Sequence, residues 1–266
     1  MRLFLLLLTA SAAVAQPVAP ALAPPMLAPN AAPAQPLAPG YVEGLSPAVM
    51  LRLLPPPPSA GSSDERADRL VYRDSRKGIG KADWRRAQGQ LGISSPDYLK
   101  AASCALGAVV SPQTTPATLR LLRRSGTDLA TAVFGAKAYY KRPRPFASDN
   151  KGKGGGKACD PEAAINGGKG LGFAYPSGHA AVGWMWGLIL ADARPERSAA
   201  LLTFGKDTGD LRIACRVHWA SDVSGGRLLA TALYQQIADT ADYKADLLKA
   251  KAELTLVPVP EGCPAA

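Results

Sequence analysis

The segment from Arg212 to Asp222 combines a fixed cation, a histidine and a carboxylate at spacings that let their side chains act together. His218 is one of only two histidines in 266 residues, and Asp222 follows it by four positions. On a helix, residues four apart share a face, so Asp222 could accept a hydrogen bond from the ring and fix its tautomer. The ring could then act as a base, a metal ligand or a nucleophile, and Arg212 indicates an anionic target. A helix-surface ion pair beside a half-buried histidine explains the same residues when they are taken alone.

The other histidine follows a proline, a serine and a glycine, which are typical of a helix start. Ser177 is a candidate N-cap, and the free N–H groups around Gly178 could bind phosphate without any side chain. His179 then lies in the first turn, where the positive end of the helix favours its neutral form. A plain N-cap explains Ser177 equally well, and the apolar run that follows is typical of core packing.

Two more cations lie near the end of a predicted helix. Lys137 and Arg144 are seven residues apart, which is two turns on one face if the helix persists, and Pro143 and Pro145 predict its end. Cations at a helix exit suit an anion, and arginine can bind two phosphate oxygens at once. A basic helix end that complements the macrodipole is the simpler explanation of these residues alone.

The N-terminus predicts export from the cytoplasm. A basic start, a short apolar run and small residues ending at Ala15 are typical of a secretory signal peptide, so residues 1–15 are predicted to be removed. Residues 16–40 are mostly Ala and Pro without a charge, which predicts a disordered linker. Residues 41–266 then have a plausible size for one domain. We therefore expect a periplasmic or secreted protein.

The cysteines and the net charge limit the classes of function that the sequence permits. Four cysteines fit an oxidising compartment and could form two disulfides, but the sequence leaves three pairings open. The net charge of +10 permits anionic partners, yet dispersed cations and 6% aromatic residues disfavour nucleic acid. No apolar stretch reaches the roughly 20 residues that a membrane span needs. No two cysteines form a C-x-x-C pair, which is typical of zinc sites. The four cysteines are Cys104, Cys159, Cys215 and Cys263.

Helical spacing of apolar residues predicts an all-α domain, without a useful strand pattern or an internal repeat. The glycine-rich stretch Asn150–Gly172 has no P-loop match and is predicted to be a basic loop that could close over a pocket. The predicted helices are Asp64–Lys77, Lys81–Leu91, Asp97–Val110, Pro116–Arg142, Ser177–Ala193, Pro195–Cys215, His218–Thr240 and Ala241–Leu254.

Taken in order, the three motifs resemble the signature of the type 2 phosphatidic acid phosphatase superfamily. The pattern is Lys, six residues and Arg-Pro, then Pro-Ser-Gly-His, then Arg, five residues, His, three residues and Asp. Within that superfamily the chain most resembles the soluble, secreted class A bacterial non-specific acid phosphatases, from roughly Tyr41 to Leu254. The resemblance implies a single-domain helical bundle of the kind shared with haloperoxidases.

The resemblance also implies a role for each motif residue. His218 would attack phosphorus and become a phosphohistidine, Asp222 would orient it, and His179 would act as general acid and then as general base. The implied enzyme needs neither a metal nor a cofactor and hydrolyses small phosphate monoesters, including nucleotides. The residues implied to hold the phosphate are Lys137, Arg144, Ser177, Gly178 and Arg212.

One residue departs from the family pattern, and other functions remain open. Leu211 stands where a serine usually precedes the arginine, which puts the rate or the substrate preference in doubt. A vanadate-dependent haloperoxidase would hold vanadate through His218. In a secreted phosphate-binding protein without catalysis, Leu211 would mark the decay of activity. The sequence also leaves open whether the chain forms a homo-oligomer.

Overall fold

The computed structural model describes residues 38–148, 156–257 and 259–263, and within these ranges the chain is all-α, which confirms the predicted fold class. The predicted signal peptide and residues 16–37 of the predicted linker lie outside the described residues. The α-helices of the described ranges are α1 Pro47–Leu53, α2 Ser63–Asp74, α3 Ala82–Gly89, α4 Pro96–Leu106, α5 Pro116–Tyr140, α6 Gly178–Ala193, α7 Ser198–Ala214, α8 Ala220–Ala238 and α9 Ala241–Leu254.

Differences from the predicted helices have local causes. Helical spacing does not predict α1, which is only seven residues long. Helix α5 ends at Tyr140 instead of Arg142, because Lys141 adopts a left-handed backbone conformation with φ of 47°. Helix α8 begins at Ala220, so His218 lies in the bend before the helix. The second and third differences both fall at the predicted site.

Helix α6 is the centre of the bundle. A helix that is apolar on every side is normally buried, and α5, α7, α8 and α9 all pack around α6. Met185, Ile189 and Leu190 are completely buried there, and each such side chain contributes about 1.5–3 kcal/mol. No helix in the described ranges, α6 included, is both long and apolar enough to cross a membrane. Helix α6 therefore anchors the helices that carry the motifs.

The contact between α6 and α7 depends on glycines. A Cβ atom on Gly205 would lie 2.7 Å from the carbonyl oxygen of Gly183, and one on Gly187 would lie 2.9 Å from that of Leu201. The two backbones therefore approach more closely than a side chain allows. This approach sets the position of α7, which carries Arg212 in its last turn.

Gly205→Ala is expected to lower the free energy of unfolding by about 1–3 kcal/mol, because the new methyl group must push two backbones apart. The matched control is Gly126→Ala within α5, where a Cβ atom meets nothing within 4 Å. That change should instead stabilise the protein by about 1 kcal/mol, since alanine has the higher helix propensity. Urea unfolding followed by circular dichroism compares the two, and equal midpoints would contradict the close backbone contact.

Polar contacts attach the first described residues to α5. The guanidinium of Arg124 donates hydrogen bonds to the carbonyls of Pro39 and Gly40, each at 3.0 Å. The same guanidinium pairs with Asp246 of α9 at 3.0 Å and with Asp242 at 2.8 Å. Residues 39 and 40, which composition places in the linker, therefore pack against the helical domain.

Two disulfides join distant segments and settle the pairing that composition leaves open. Cys104–Cys263 ties the chain after α9 to α4. Cys159–Cys215 ties the loop before α6 to the end of α7, three residues before His218, and the N–H of Cys159 donates to the carbonyl of Cys215 at 2.9 Å. The second disulfide therefore braces the segment that leads into the predicted site.

Candidate active site

The three motifs meet where α5 and α7 end and α6 begins. Burial holds the pKa of His218 well below its usual value, and the positive charges of Arg144 and Lys137 lower it further, followed by His179 and Arg212. The fold thus brings both histidines and the three predicted phosphate-binding cations into one site. A cluster of cations at helix ends can hold a multiply charged anion.

His218 is buried, and its two ring nitrogens have different partners. Nδ1 lies 3.3 Å from Oδ2 of Asp222, whereas Nε2 lies 3.2 Å from Nη1 of Arg144. A guanidinium can only donate, so Nε2 accepts and the ring proton lies on Nδ1. The predicted contact between His218 and Asp222 is present, but it reaches across the start of α8 instead of along one helical turn. The lone pair of Nε2 faces the cations.

Asp222 is fully buried and uses both carboxylate oxygens. Oδ1 accepts from Arg142 at 2.6 Å, and Oδ2 accepts from the backbone N–H of Trp219 at 2.8 Å as well as from His218. Burial raises the pKa of Asp222 to about 6, against the lowering effect of Arg142. The backbone N–H of Ser177 donates to the carbonyl of Asp222 at 2.9 Å, which joins the start of α6 to α8.

Arg144 connects His218 to the glycine-rich loop. Besides its contact with His218, its guanidinium donates to the carbonyls of Leu171 at 2.5 Å, Gly172 at 2.9 Å and Val217 at 2.9 Å. Burial lowers the pKa of Arg144 to about 10, where the group is still charged at neutral pH. One side chain therefore positions the end of the loop beside Nε2 of His218.

Lys137 lies in the last turn of α5, and its Nζ donates to the carbonyl of Phe173. Burial lowers its pKa to about 7, with Arg144 contributing by charge repulsion. The helix does not persist to Arg144, since it ends at Tyr140, so the two cations do not share a helix face. Lys137 comes from the last turn of α5, whereas Arg144 comes from the segment after that helix.

Backbone carbonyls of α3 and of the segment after it bind the other histidine and the third cation. Nε2 of His179 donates to the carbonyl of Leu91 at 2.9 Å, and Nη2 of Arg212 donates to that of Ala87 at 3.2 Å. Nδ1 of His179 is thus the nitrogen left for proton transfer. Burial, and to a smaller extent the charge of Arg212, lowers the pKa of His179 to about 3. The ring is therefore neutral, as the helix start predicts, but burial is the main cause.

Arg212 is buried, and its Nε atom has no hydrogen-bond partner within the described residues. Burial lowers its pKa to about 10, so it stays charged at neutral pH. A buried N–H without a partner is rare, and an oxyanion is a suitable acceptor. Arg212 therefore has a donor to spare for a phosphate oxygen.

The start of α6 fits against α8 because of two glycines. Ser177 is the buried N-cap and Gly178 the first helical residue. A Cβ atom on Gly226 would lie 2.5 Å from the carbonyl oxygen of Ser177, and one on Gly225 would lie 2.7 Å from the ring of Tyr175. The free N–H groups of the first turn of α6 are thereby held beside the carboxylate-bearing start of α8.

Comparison with known proteins identifies the family. Residues 125–242 match the PAP2 superfamily. The chain is 33% identical over 208 residues to a non-specific acid phosphatase of Salmonella typhimurium, covering 76% of this chain and 78% of the relative. This chain belongs to the PAP2 superfamily. The resemblance drawn from the three motifs is confirmed.

Two further relatives agree with the PAP2 assignment. An acid phosphatase of Zymomonas mobilis is 30% identical over 206 residues, which cover 77% of this chain and 75% of the relative. A non-specific acid phosphatase of Providencia stuartii is 31% identical over 216 residues, which cover 80% and 84%. The PAP2 match includes every motif residue from Lys137 to Asp222, whereas α2 and α3 lie before it.

The residue that departs from the expected family pattern packs in an apolar cluster. Leu211 is 3% exposed and lies in an apolar cluster with Trp84, Cys215 and Val217. Its neighbour Arg212 is the residue that carries a free donor. Position 211 therefore contributes to the packing of α7 on α3 and beside the disulfide.

The PAP2 motifs do not predict the ion pairs that Arg142 forms with Asp222 and Asp68. Arg142 pairs with Asp222 at 2.6 Å and with Asp68 of α2 at 2.7 Å. In the sequence Asp68 resembles any acidic residue of a charged helix, and only its position one turn before the buried Tyr72 marks it. Among the described residues, no three His, Cys, Asp or Glu side chains form a group that could hold a metal ion.

Proposed function

We propose that the chain is a secreted acid phosphatase that hydrolyses phosphate monoesters through a phosphohistidine at His218, without a metal ion. The observation that carries the proposal is the arrangement of His218, whose unprotonated Nε2 faces Arg144 while Asp222 binds Nδ1. The relatives named acid phosphatases support the same reaction class. Secretion is supported by the predicted signal peptide and by two disulfides, which persist in oxidising compartments.

In the first step Nε2 of His218 attacks phosphorus, and the bond from phosphorus to the leaving oxygen breaks. His179 protonates that oxygen from Nδ1, so an alcohol leaves and a phosphohistidine remains. Asp222 accepts the Nδ1 proton of His218 in a hydrogen bond and stabilises the positive ring. In the second step His179 removes a proton from water, the water attacks phosphorus, and the N–P bond breaks to release inorganic phosphate.

Electrostatics supply the stabilisation that a metal ion gives in other phosphatases. The transition state of phosphoryl transfer spreads negative charge over three equatorial oxygens, which need fixed positive partners. Arg144, Arg212 and Lys137 provide three, and the first turn of α6 provides backbone N–H groups. Since this set recognises the phosphoryl group alone, we propose broad specificity for nucleotides and other organic phosphates.

Two pKa values limit the useful pH range. Lys137 has a pKa of about 7, so it is mostly charged only below about pH 7. Asp222 has a pKa of about 6, so it is mostly ionised only above about pH 6. His218 stays neutral throughout, as a nucleophile must. A bound phosphate dianion favours the charged form of His179 and raises its pKa, which prepares it to act as an acid. The arrangement favours activity in the mildly acidic range.

The purified protein should hydrolyse p-nitrophenyl phosphate and nucleoside monophosphates, with kcat/KM highest between about pH 6 and 7 and falling on both sides. Activity should be unchanged after incubation with EDTA, because the cations of the site are side chains. A metal-dependent phosphatase treated in parallel shows that the chelator is effective. Strong inhibition of this protein by EDTA, reversed by a divalent metal, would overturn the metal-free mechanism.

A further inference from the structure

Asp222 is held on its other carboxylate oxygen by a buried ion pair that the proposed mechanism does not use. Arg142 donates from Nη1 to Oδ1 of Asp222 at 2.6 Å and from Nη2 to Oδ2 of Asp68 at 2.7 Å. The exposed fractions of the three side chains are 9% for Arg142, 0% for Asp222 and 3% for Asp68. Charge-assisted hydrogen bonds of this length are among the strongest in proteins. Arg142 thus links α2 to the carboxylate that orients His218.

Asp68 fixes this arrangement by binding the start of α8 as well. Its Oδ1 accepts from the backbone N–H of Ser221 at 2.9 Å, and its Oδ2 accepts from the Ser221 hydroxyl. That hydroxyl also lies 2.7 Å from Nη1 of Arg142. Asp68 and Ser221 both bind the guanidinium of Arg142 and therefore also bind each other. The helix turn that carries Asp222 is bound to α2 directly beside the carboxylate.

Arg142 is the fixed cation in contact with Asp222. Within the described residues Asp222 forms ion pairs with Arg142 and His218, and only the arginine is permanently charged. Burial in the absence of that cation favours a protonated carboxyl. A protonated Asp222 could donate to Nδ1 of His218 and so place the ring proton on Nε2. The other charged or titratable groups that act on Asp222 are Lys137, Arg144 and Tyr175.

We propose that Arg142, anchored by Asp68, is a positioning residue that keeps Asp222 ionised and aligned, so that Nε2 of His218 remains free of a proton. The inference rests on the proposed role of His218 as the nucleophile. Arg142 acts through Asp222 and does not belong to the cations that face Nε2. Its loss therefore impairs the chemical step more than the binding of phosphate.

The test compares Arg142→Met with a matched control, Arg124→Met. Arg124 is also buried and also pairs with two aspartates, Asp242 and Asp246, outside the site. We expect Arg142→Met to lower kcat by about 10- to 100-fold with little change in KM. The acid limb of kcat/KM should move to higher pH, because the cation that lowers the pKa of Asp222 is gone. Arg124→Met should lose stability and keep the pH profile.

The ring of His218 gives a second readout that does not depend on activity. Nitrogen-15 NMR distinguishes protonated from unprotonated ring nitrogens, and the only other histidine signal, from His179, serves as a reference. In the unaltered protein Nδ1 of His218 should carry the proton. In Arg142→Met, at a pH near 6, a substantial fraction of the proton should move to Nε2. Two gentler variants, Arg142→Lys and Asp68→Asn, should show the same changes to a smaller extent, and they replace Arg142→Met if it fails to fold.

A purely structural role gives a different set of results. If the Arg142 and Asp68 variants lose only stability, as Arg124→Met does, and keep the kcat, the acid limb and the His218 tautomer, the positioning role is wrong. Failure of the proposed function looks different, since His218→Ala would then retain phosphatase activity while the NMR spectra could still show the effect of Arg142 on the ring.

Discussion

His218→Ala should reduce the hydrolysis of p-nitrophenyl phosphate by about 10⁴-fold or more, because the removed Nε2 atom is the proposed attacking group. Rapid mixing of the unaltered protein with substrate, followed by quenching into alkali, should trap phosphate on His218. Mass spectrometry of the digested protein locates the label. The variant should show no label while its circular dichroism spectrum stays that of a folded helical protein.

His179→Ala is the matched control for this experiment, since it removes the other histidine of the site. p-Nitrophenolate leaves without needing a proton, so the first step should still occur, whereas activation of water for the second step is lost. We expect a burst of about one p-nitrophenol per site followed by slow turnover, with the phosphohistidine accumulating. A burst in His218→Ala, or equal residual rates in the two variants, would contradict the assigned roles.

Arg144→Ala should lower kcat/KM by about 10²- to 10³-fold, because it removes a preorganised donor from the transition state in a buried site. Inorganic phosphate should also inhibit this variant more weakly, as the anion loses the cation that contacts His218. Steady-state kinetics with phosphate as a competitive inhibitor measure both effects. Arg144→Lys should recover only part of the activity, because an ammonium group cannot reproduce the planar fork that holds Leu171 and Gly172.

Arg144→Ala also removes a structural tether, and Arg197→Ala controls for that loss. Arg197 likewise donates to two backbone carbonyls, those of Ala105 at 3.1 Å and Cys104 at 2.9 Å, at the end of α4. Its replacement should cost some stability and leave kcat/KM unchanged. If Arg144→Ala and Arg197→Ala had the same small effect on activity, the role of Arg144 in phosphate binding would be refuted.

Much of the site was predictable because its chemistry lies in short segments. The spacing from His218 to Asp222 places the two side chains in contact whether the chain is helical or bent. Likewise Ser177 is a helix N-cap because of local hydrogen-bonding chemistry, which the sequence displays directly. Such features depend on neighbours within four residues, so they survive errors in the predicted helix boundaries.

The rest depends on tertiary contacts that no local pattern records. Asp68 and Arg142 are 74 residues apart and meet only because α2 packs against the start of α8. The carbonyls of Ala87 and Leu91, which hold Arg212 and His179, are backbone groups and carry no sequence signal at all. The disulfide pairing was equally open, since chain separation alone does not select among the three possibilities.

The crowding of like charges around His218 has a consequence for how turnover ends. Burial lowers the pKa values of Lys137, Arg144 and Arg212, and the charge of Arg144 lowers those of Lys137 and Arg212 further. An arriving phosphate ester relieves that repulsion, and inorganic phosphate, which has similar charge and shape, relieves it too. The electrostatic attraction that favours substrate binding therefore also slows the release of the product. An enzyme built this way is restrained by its own product and works fastest where free phosphate is scarce.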